Sequence, residues 1–536
     1  MAHNTRDQGG HNDGLQAPLM PRRVELLAAT SLAIDLGLGQ PLEHMLRSCT
    51  LGMRLTEQLG LGREHRDRVF YATLLAWIGC HADSPELAAV FGDDIGFRAA
   101  TYRVDMHGAA LMGLMLRKVA SGKPPLVRGV RTAAFLVTGR STLHDVIVSH
   151  CVSAGALAGR LGVDDEVGRL LGFTFERWDG AGLPNGAHGP EIPVEMRIVH
   201  LCDTAETYLR DGGPEAAMKM VRQRRGTHFD PEIADAFCDS APELCRGLAE
   251  EDAWSTALAS APEDQVLDDS ELDRVLTAMG DFADLKSPFT IGHSRAVAAL
   301  AEAAGQNAGL PAAEQRRLRL AGLVHDLGRM GVSNAIWDKT TPLTTAEQER
   351  VHLHPYLTER ILGRVPALRP IAALAGAHHE RLDGSGYSRG VSAEGLGVTS
   401  RILAAADSYR ASTEPRPHRE PSSMAEAAAR LRNEVVALRL DGSAVEAVLD
   451  AAGHRRSRRP AGPAGLTSRE VDVLRLIVRG FSSRQIAADL VISEKTARNH
   501  LEHIYAKLAV TNRTGAALFA LQHGIVGNVD DASALP

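Results

Sequence analysis

Seven residues between positions 293 and 407 could share one piece of chemistry: His293, His325, Asp326, His354, His378, His379 and Asp407. One histidine on an apolar helix is usually a packed, hydrogen-bonded core residue. A set of seven is different, because polar groups that cost energy when buried unpaired have no reason to gather in a mere scaffold. Seven N and O donors also exceed what a single ion takes from protein. Two divalent ions sharing a bridging carboxylate, most naturally Asp326, would use them all and leave positions for water and substrate. Ions roughly 3.5 to 4 Å apart acidify a bridging water and hold a phosphate oxygen opposite it, the arrangement for in-line phosphoester hydrolysis. Mixed imidazole and carboxylate ligation suits iron, manganese, zinc or nickel without choosing among them. Neither a G-x-x-x-x-G-K phosphate loop nor a Ser, His and Asp set offers a competing chemistry.

Separate helices must carry these donors. His293 opens a helix after Thr290-Ile291-Gly292, His325 and Asp326 follow the apolar run from Leu320 to Val324, and His354 precedes Pro355. His378 and His379 end another apolar helix, and Asp407 closes the series. Helical spacing of Leu, Ala, Val and Ile recurs along the chain while strand-like alternation is scarce, so the expected fold class is all-α. A chain of 536 residues is too long for one ordinary core. Its 44% hydrophobic and 23% charged residues argue for a soluble, folded protein. No apolar run reaches the roughly 18 residues that cross a bilayer, and the polar start has no signal core, so the expectation is a cytoplasmic protein without a membrane partner. The six cysteines form no C-x-x-C pair and are too few for a disulfide framework.

Composition shifts divide the chain into a disordered N-terminus (1–20), a helical domain (21–245), an acidic linker (246–275), a second helical domain (276–452), a basic linker (453–464) and a small C-terminal domain (465–530). The two larger domains look duplicated. Glu176-Arg177-Trp178-Asp179-Gly180-Ala181-Gly182 matches Glu380-Arg381-Leu382-Asp383-Gly384-Ser385-Gly386, and the stretch from Arg197 to Asp203 matches that from Arg401 to Asp407. In the first copy Ala76-Trp77 replaces His325-Asp326, and Thr174-Phe175 replaces His378-His379. His44, His150 and Asp203 remain, with Cys80-His81-Ala82-Asp83 nearby, which leaves a single weak metal site open. The preferred expectation is a degenerate, non-catalytic copy used for sensing or dimerisation.

From about Asp284 to Arg419 the chain resembles the HD-GYP family of HD phosphohydrolases. The resemblance rests on Ser287-Pro288-Phe289-Thr290-Ile291-Gly292-His293-Ser294, His325-Asp326-Leu327-Gly328-Arg329-Met330-Gly331, His378-His379-Glu380-Arg381, Asp383-Gly384-Ser385-Gly386-Tyr387 and Arg416-Pro417-His418-Arg419. It implies two helical HD-type domains, a di-metal centre and cleavage of cyclic di-GMP or a related cyclic dinucleotide. It further implies catalytic roles for Asp326 and for Arg329, which stands where the family has Lys, and phosphate contacts from Arg416 and Arg419. Ser388 replaces the proline of the Gly-Tyr-Pro signature and Arg410 an acidic residue, departures that bear on substrate identity. Phe289 cannot supply the carboxylate that some members use for a third ion, so two metals are expected. The alternative is a catalytically inactive ligand or metal sensor.

The C-terminal segment carries a different chemistry. Thr467 stands three residues before Glu470, the capping-box pattern, with Val471, Leu474 and Ile477 on one face behind it. A short helix from Ser483 to Leu490 is followed by a longer one that Ser493 can cap, with Ala497, Leu501, Ile504 and Leu508 inward and Lys495, Arg498, Asn499 and Glu502 outward. From Gly465 to about Gly524 the sequence is similar to the LuxR-type helix-turn-helix domain. That similarity implies double-stranded DNA as a partner, with Lys495, Thr496, Arg498 and Asn499 in the major groove and Lys507 on a phosphate. The net charge of −7 would oppose DNA binding if evenly spread, but the segment is locally basic and follows Arg455-Arg456-Ser457-Arg458-Arg459. A homodimer is expected, since such readers bind paired half-sites.

Overall fold

The computed structural model describes residues 20–122, 124–263, 266–454, 464, 466–490, 492–510, 512–523 and 525. The N-terminus up to residue 19 and the basic run 455–459, both singled out above, lie outside the described residues. Every regular element among the described residues is a helix, supplemented only by isolated β-bridges, so the all-α expectation holds. The chain divides into two compact units, Met1–Ala452 and Gly453–Pro536.

Within the larger unit the stretches 21–245 and 276–452 share one continuous hydrophobic core. The first helix, Arg23–Leu38, shows how. It is apolar nearly all round, with Val24, Leu26, Leu27, Leu32 and Ile34 buried, as befits a helix enclosed on every side. It packs on His44–Gln58 of its own half, and on the Leu327–Gly331 turn and the helix His354–Leu362 of the other. A buried polar joint adds to this. The Asp94 carboxylate accepts hydrogen bonds from the Ser333 hydroxyl (2.6 Å) and the Asn334 amide (2.9 Å), and Lys286 Nζ lies 3.4 Å away. The described residues of 246–275 are themselves structured. Asp252 caps a helix, Ala253–Ala259, that buries Trp254, and Asp268 and Glu271 form a capping box at the start of the helix Asp269–Asp284.

The duplication is visible in matching hydrogen bonds. Glu176 Oε1 accepts from the Asn185 amide and Glu380 Oε1 from the Arg389 amide, each at 2.8 Å. Arg197 Nε donates to the Ile192 carbonyl and Nη1 to Asp230 (2.7 and 2.8 Å); Arg401 repeats this with Leu396 and Asp441 (2.8 and 3.0 Å). Close approaches repeat as well. A Cβ on Gly182 or Gly386 would collide with the backbone five and six residues earlier, and a Cβ on Gly79 or Gly328 would collide with the carbonyl of His150 or His354. His150 is therefore the counterpart of His354.

The smaller unit is a helical cluster with Leu466, Val473, Leu474, Ile486, Ala497 and Ile504 buried at its centre. Its helices begin where their caps predict. Thr467 and Glu470 form the capping box of Ser468–Val478, Ser482 caps Ser483–Asp489, and Ser493 caps Glu494–Leu508.

Gly328 is the position at which packing and the candidate site meet most tightly. Gly328→Ala should push the turn bearing His325 and Asp326 away from the His354 helix and cost about 1–3 kcal/mol. Thermal unfolding of the purified protein checks this, and a neutral substitution would contradict the close approach.

Candidate metal centre and DNA-reading helix

Each imidazole is aimed by a local device. Gly292, at φ +80°, turns the chain so that His293 begins the helix His293–Asn307. The Asp284 carboxylate holds that helix start by accepting from the Ser294 amide (3.0 Å) and hydroxyl (2.7 Å). His325 follows the end of Ala312–Val324, and the Thr358 hydroxyl ties its carbonyl and the Gly328 amide (2.9 and 2.8 Å) to the helix His354–Leu362. His378 and His379 lie in the turn after Arg369–Ala375, and Asp407 sits within Val398–Thr413.

Three rings share one orientation rule. Nδ1 of His325, His354 and His378 meets the carbonyls of Gly322 (2.9 Å), Val351 (2.5 Å) and Ala375 (2.6 Å), each three residues earlier. A carbonyl can only accept, so these contacts assign the proton to Nδ1 and leave the Nε2 lone pair inward. Burial reinforces the neutral state, lowering the pKa of His354 to about 4 and of His378 to about 3, and holding that of His379 well below its usual value.

The Asp326 carboxylate lies between two groups of these rings. Its Oδ1 is 3.4 Å from His354 Nε2 and 3.7 Å from His378 Nε2. Its Oδ2 is 3.7 Å from His325 Nε2, 3.9 Å from His293 Nε2 and 3.0 Å from Arg329 Nη1. Asp407 Oδ1 stands 3.3 Å from His293 Nε2 and 3.8 Å from His325 Nε2, with Oδ2 3.8 Å from His379 Nδ1. All seven residues singled out in the sequence are thus brought together. Burial opposes ionisation of both aspartates, yet Arg329 and the imidazoles keep Asp326 well below the usual carboxylate range, and the His293 hydrogen bond with its neighbours does the same for Asp407.

Two observations show that the arrangement fits divalent cations. The buried His325 Nε2 has no hydrogen-bond partner. His354 Nε2 and His378 Nε2 face each other at 3.2 Å, two lone pairs in want of something positive between them. The sets His293, His325 and Asp407; His325, Asp326 and His378; and His354, His378 and His379 each have donor atoms within 4.8 Å of one another.

Sequence reasoning missed Glu414. Its Oε2 lies 2.7 Å from His293 Nδ1, and although burial opposes a charged ring, Asp407 and Glu414 together raise the His293 pKa to about 9. The signal was in the first copy. There Glu206, three residues after Asp203, lies 2.5 Å from Nδ1 of His44, the counterpart of His293. The equivalent position in the second copy is Arg410, so a carboxylate one turn later takes the place and Arg410 pairs with it at 3.3 Å.

The arginines separate by position. Arg329 is bonded to Asp326 and lies 4.0 Å over the Trp337 ring. Arg416 is held beside the centre by the Phe289 carbonyl (2.6 Å) and Glu414 (3.2 Å). Arg419 is not directed at it; its guanidinium donates to the carbonyls of Ala411 and Ser412 (3.0 Å for the latter), at the end of the Asp407 helix.

In the first copy aromatic side chains occupy the corresponding space. Trp77 Nε1 and the Tyr102 hydroxyl donate to Asp203 (3.1 and 3.2 Å), Phe175 packs against Trp77 and His150, and His44 Nε2 is 3.0 Å from Asp203. Among the described residues, Cys80, His81 and Asp83 belong to no cluster that could hold an ion.

In the smaller unit the helix Glu494–Leu508 buries Ala497, Ile504 and Leu508 and exposes Lys495, Thr496, Arg498, Asn499 and Glu502. Arg498 pairs with Glu494 one turn back (2.6 Å), and the exposed Lys507 reaches Glu470 (2.6 Å). The exposed face is the kind that a helix-turn-helix presents to the major groove.

Comparison with known proteins agrees with both sites. Residues 139–233 and 277–444 match the HD domain family, and residues 464–520 match the bacterial regulatory proteins of the luxR family. A 3'3'-cGAMP-specific phosphodiesterase of Vibrio cholerae is 31% identical over 402 residues, covering 74% of this chain and 87% of that protein. The crystal structure of a cyclic GMP-AMP specific phosphodiesterase from V. cholerae superposes with a TM-score of 0.57 at 26% identity, covering 81% of this chain and 98% of that one. A transcriptional regulatory protein of Bacillus subtilis is 50% identical over 64 residues, 12% of this chain and 30% of that protein. Among the described residues no helix is long and apolar enough to cross a membrane. The chain belongs to the HD-GYP phosphodiesterases, a family of metal-dependent phosphohydrolases, and carries a C-terminal DNA-binding domain of the LuxR family.

Proposed function

We propose that this chain is a cytoplasmic transcriptional regulator, homodimeric on DNA, whose central domain hydrolyses a cyclic dinucleotide with two divalent ions. The observation that carries the reading is the placement of Asp326, one oxygen toward His354 and His378 and the other toward His293 and His325. One ion would be held by His293, His325, Asp407 and Asp326, the other by Asp326, His354, His378 and His379. When bound, such ions supply Lewis acidity to a phosphoryl oxygen and a hydroxide-strength nucleophile at neutral pH.

The chain's own residues do the rest. The carbonyl-bonded Nδ1 atoms fix the ring orientations, so that the three Nε2 atoms face inward to coordinate. Glu414 holds the His293 ring by its outer nitrogen, the carboxylate–histidine pairing that orients metal ligands. Arg329 and Arg416 place two guanidinium groups beside the carboxylates, suited to a phosphodiester oxygen by charge and fork geometry. The similarity to the 3'3'-cGAMP-specific enzyme supports that nucleotide, with cyclic di-GMP, as the first substrates to assay. Mixed imidazole and carboxylate donors favour iron, manganese, zinc or nickel over magnesium or calcium. In the smaller unit Lys495, Thr496, Arg498 and Asn499 would approach the bases. Lys507 would meet a phosphate after exchanging its Glu470 partner.

His325→Ala with Asp326→Ala should abolish hydrolysis of both nucleotides by the metal-reconstituted protein and leave DNA binding intact. Lys495→Ala with Arg498→Ala should do the reverse, and loss of both activities in both variants would contradict two independent sites. Tight nucleotide binding without turnover in the parent protein would favour a ligand sensor. Glu414→Gln should weaken metal binding or activity roughly 10- to 100-fold. Titration with the metal, followed by its content after dialysis, measures this, and an unchanged affinity would remove Glu414 from the site.

A further inference from the structure

The first copy encloses a space that the reaction above does not use. A cavity of about 610 Å³ lies against Trp77, Phe175 and Asp203, the residues that stand where the second copy carries its metal ligands. That volume falls in the range of small-molecule binding sites. Much of its wall comes from chain inserted between Gly79 and His150, a far longer stretch than the one between their counterparts Gly328 and His354. The inserted helices Asp94–Thr101, Gly108–Lys118 and Pro125–Arg160 contribute Phe97, Leu111, Met115, Phe135, Leu143 and Ile147, a mainly apolar lining interrupted by Arg98 and Thr101. Met112 and Leu136 line the cavity too and are 45% and 62% exposed, so it opens to solvent between the last two of these helices.

The other end is polar, with Arg177 and Arg224 beside the carboxylates of Asp105 and Asp179. Arg177 is neutralised by Asp105 and Asp179 (2.5 and 3.0 Å). Arg224 has no such pair. Arg224 is 7% exposed, its guanidinium lies 5.7 Å over the Tyr208 ring with Nη2 donating to the Tyr208 hydroxyl (3.2 Å), and among the described residues no carboxylate pairs with it directly. Beside it, the buried Nδ1 of His228 has no hydrogen-bond partner. A buried cation without a directly paired counter-ion is costly, and so is a buried ring nitrogen without a partner. Both costs fall on one end of one apolar chamber, and an anion in that place would pair with Arg224 and accept from His228 in the tautomer that carries its proton on Nδ1.

We propose that this cavity binds an amphiphilic organic anion, its apolar body among the inserted helices and its anionic head on Arg224 and His228. The site is independent of the metal centre. It gives the degenerate copy a ligand of its own, recognised by apolar contact and one charge.

The test uses the full chain and four probes with the same apolar body: decanoate, decyl phosphate, decanol and decylamine. Calorimetric titration and thermal unfolding should show the two anions binding and stabilising the protein, with decanol weaker by roughly tenfold or more and decylamine not binding. The tighter of the two anions distinguishes a carboxylate from a phosphate head. Arg224→Met should abolish the preference for anions, and Arg224→Lys should retain part of it. Leu143→Trp, which fills the chamber, should weaken all binding, and circular dichroism establishes that each variant is folded. Equal binding of decanol and decanoate would overturn the proposal. So would an unchanged ranking in Arg224→Met, full affinity in Leu143→Trp, or no binding of any probe.

Discussion

The structure of the central domain depends on one buried anion. Asp326 sits where helices that are distant in sequence converge, and four imidazoles and a guanidinium surround its two oxygens. A carboxylate in so enclosed a place is tolerable only if positive charge compensates it. Arg329 supplies one cation from the next turn and His293, its pKa raised to about 9, a second, but burial holds His354 and His378 neutral. The remaining lone pairs point at each other and at the carboxylates. A bound metal is what the proposed function adds to this geometry, and the helices, the Gly328 contact and the Thr358 hydroxyl keep the donors in register.

The two copies show what happens when that anion is removed. In the first, a tryptophan stands in place of Asp326, and the surviving carboxylate, Asp203, is bonded to Trp77, Tyr102 and His44. The scaffold on either side of the inserted helices survives. The Glu176 and Glu380 loops, the Arg197 and Arg401 bridges and the crowded glycines share the bonds and approaches described above because these belong to the fold rather than the chemistry. Both copies share one core, so the degenerate half packs directly on the turn and helix that carry Asp326 and His354.

Much of this was legible in the chain. The seven N and O donors could be picked out because their types and spacing stand in the sequence itself, and the capping residues of the last domain announce its helices because an N-cap bond is local. What could not be read depends on tertiary approach. Glu414 lies seven residues beyond Asp407 and matters only because the helix end brings it to His293. Arg419 carries the right charge for a phosphate, yet its bonds are to the carbonyls at that helix end. The acidic stretch 246–275 looked like a linker from its charge, while Trp254 and the capped helices within it are fixed by contacts with distant segments.

Metal content tests the central claim most directly. The purified parent protein, loaded and then dialysed against each of iron, manganese, zinc and nickel, should retain two ions per chain with at least one of them. Asp326→Asn, which keeps the shape of the side chain and removes its charge, should retain at most one. A parent protein that holds none, or a variant that keeps both, would contradict a centre organised around this carboxylate.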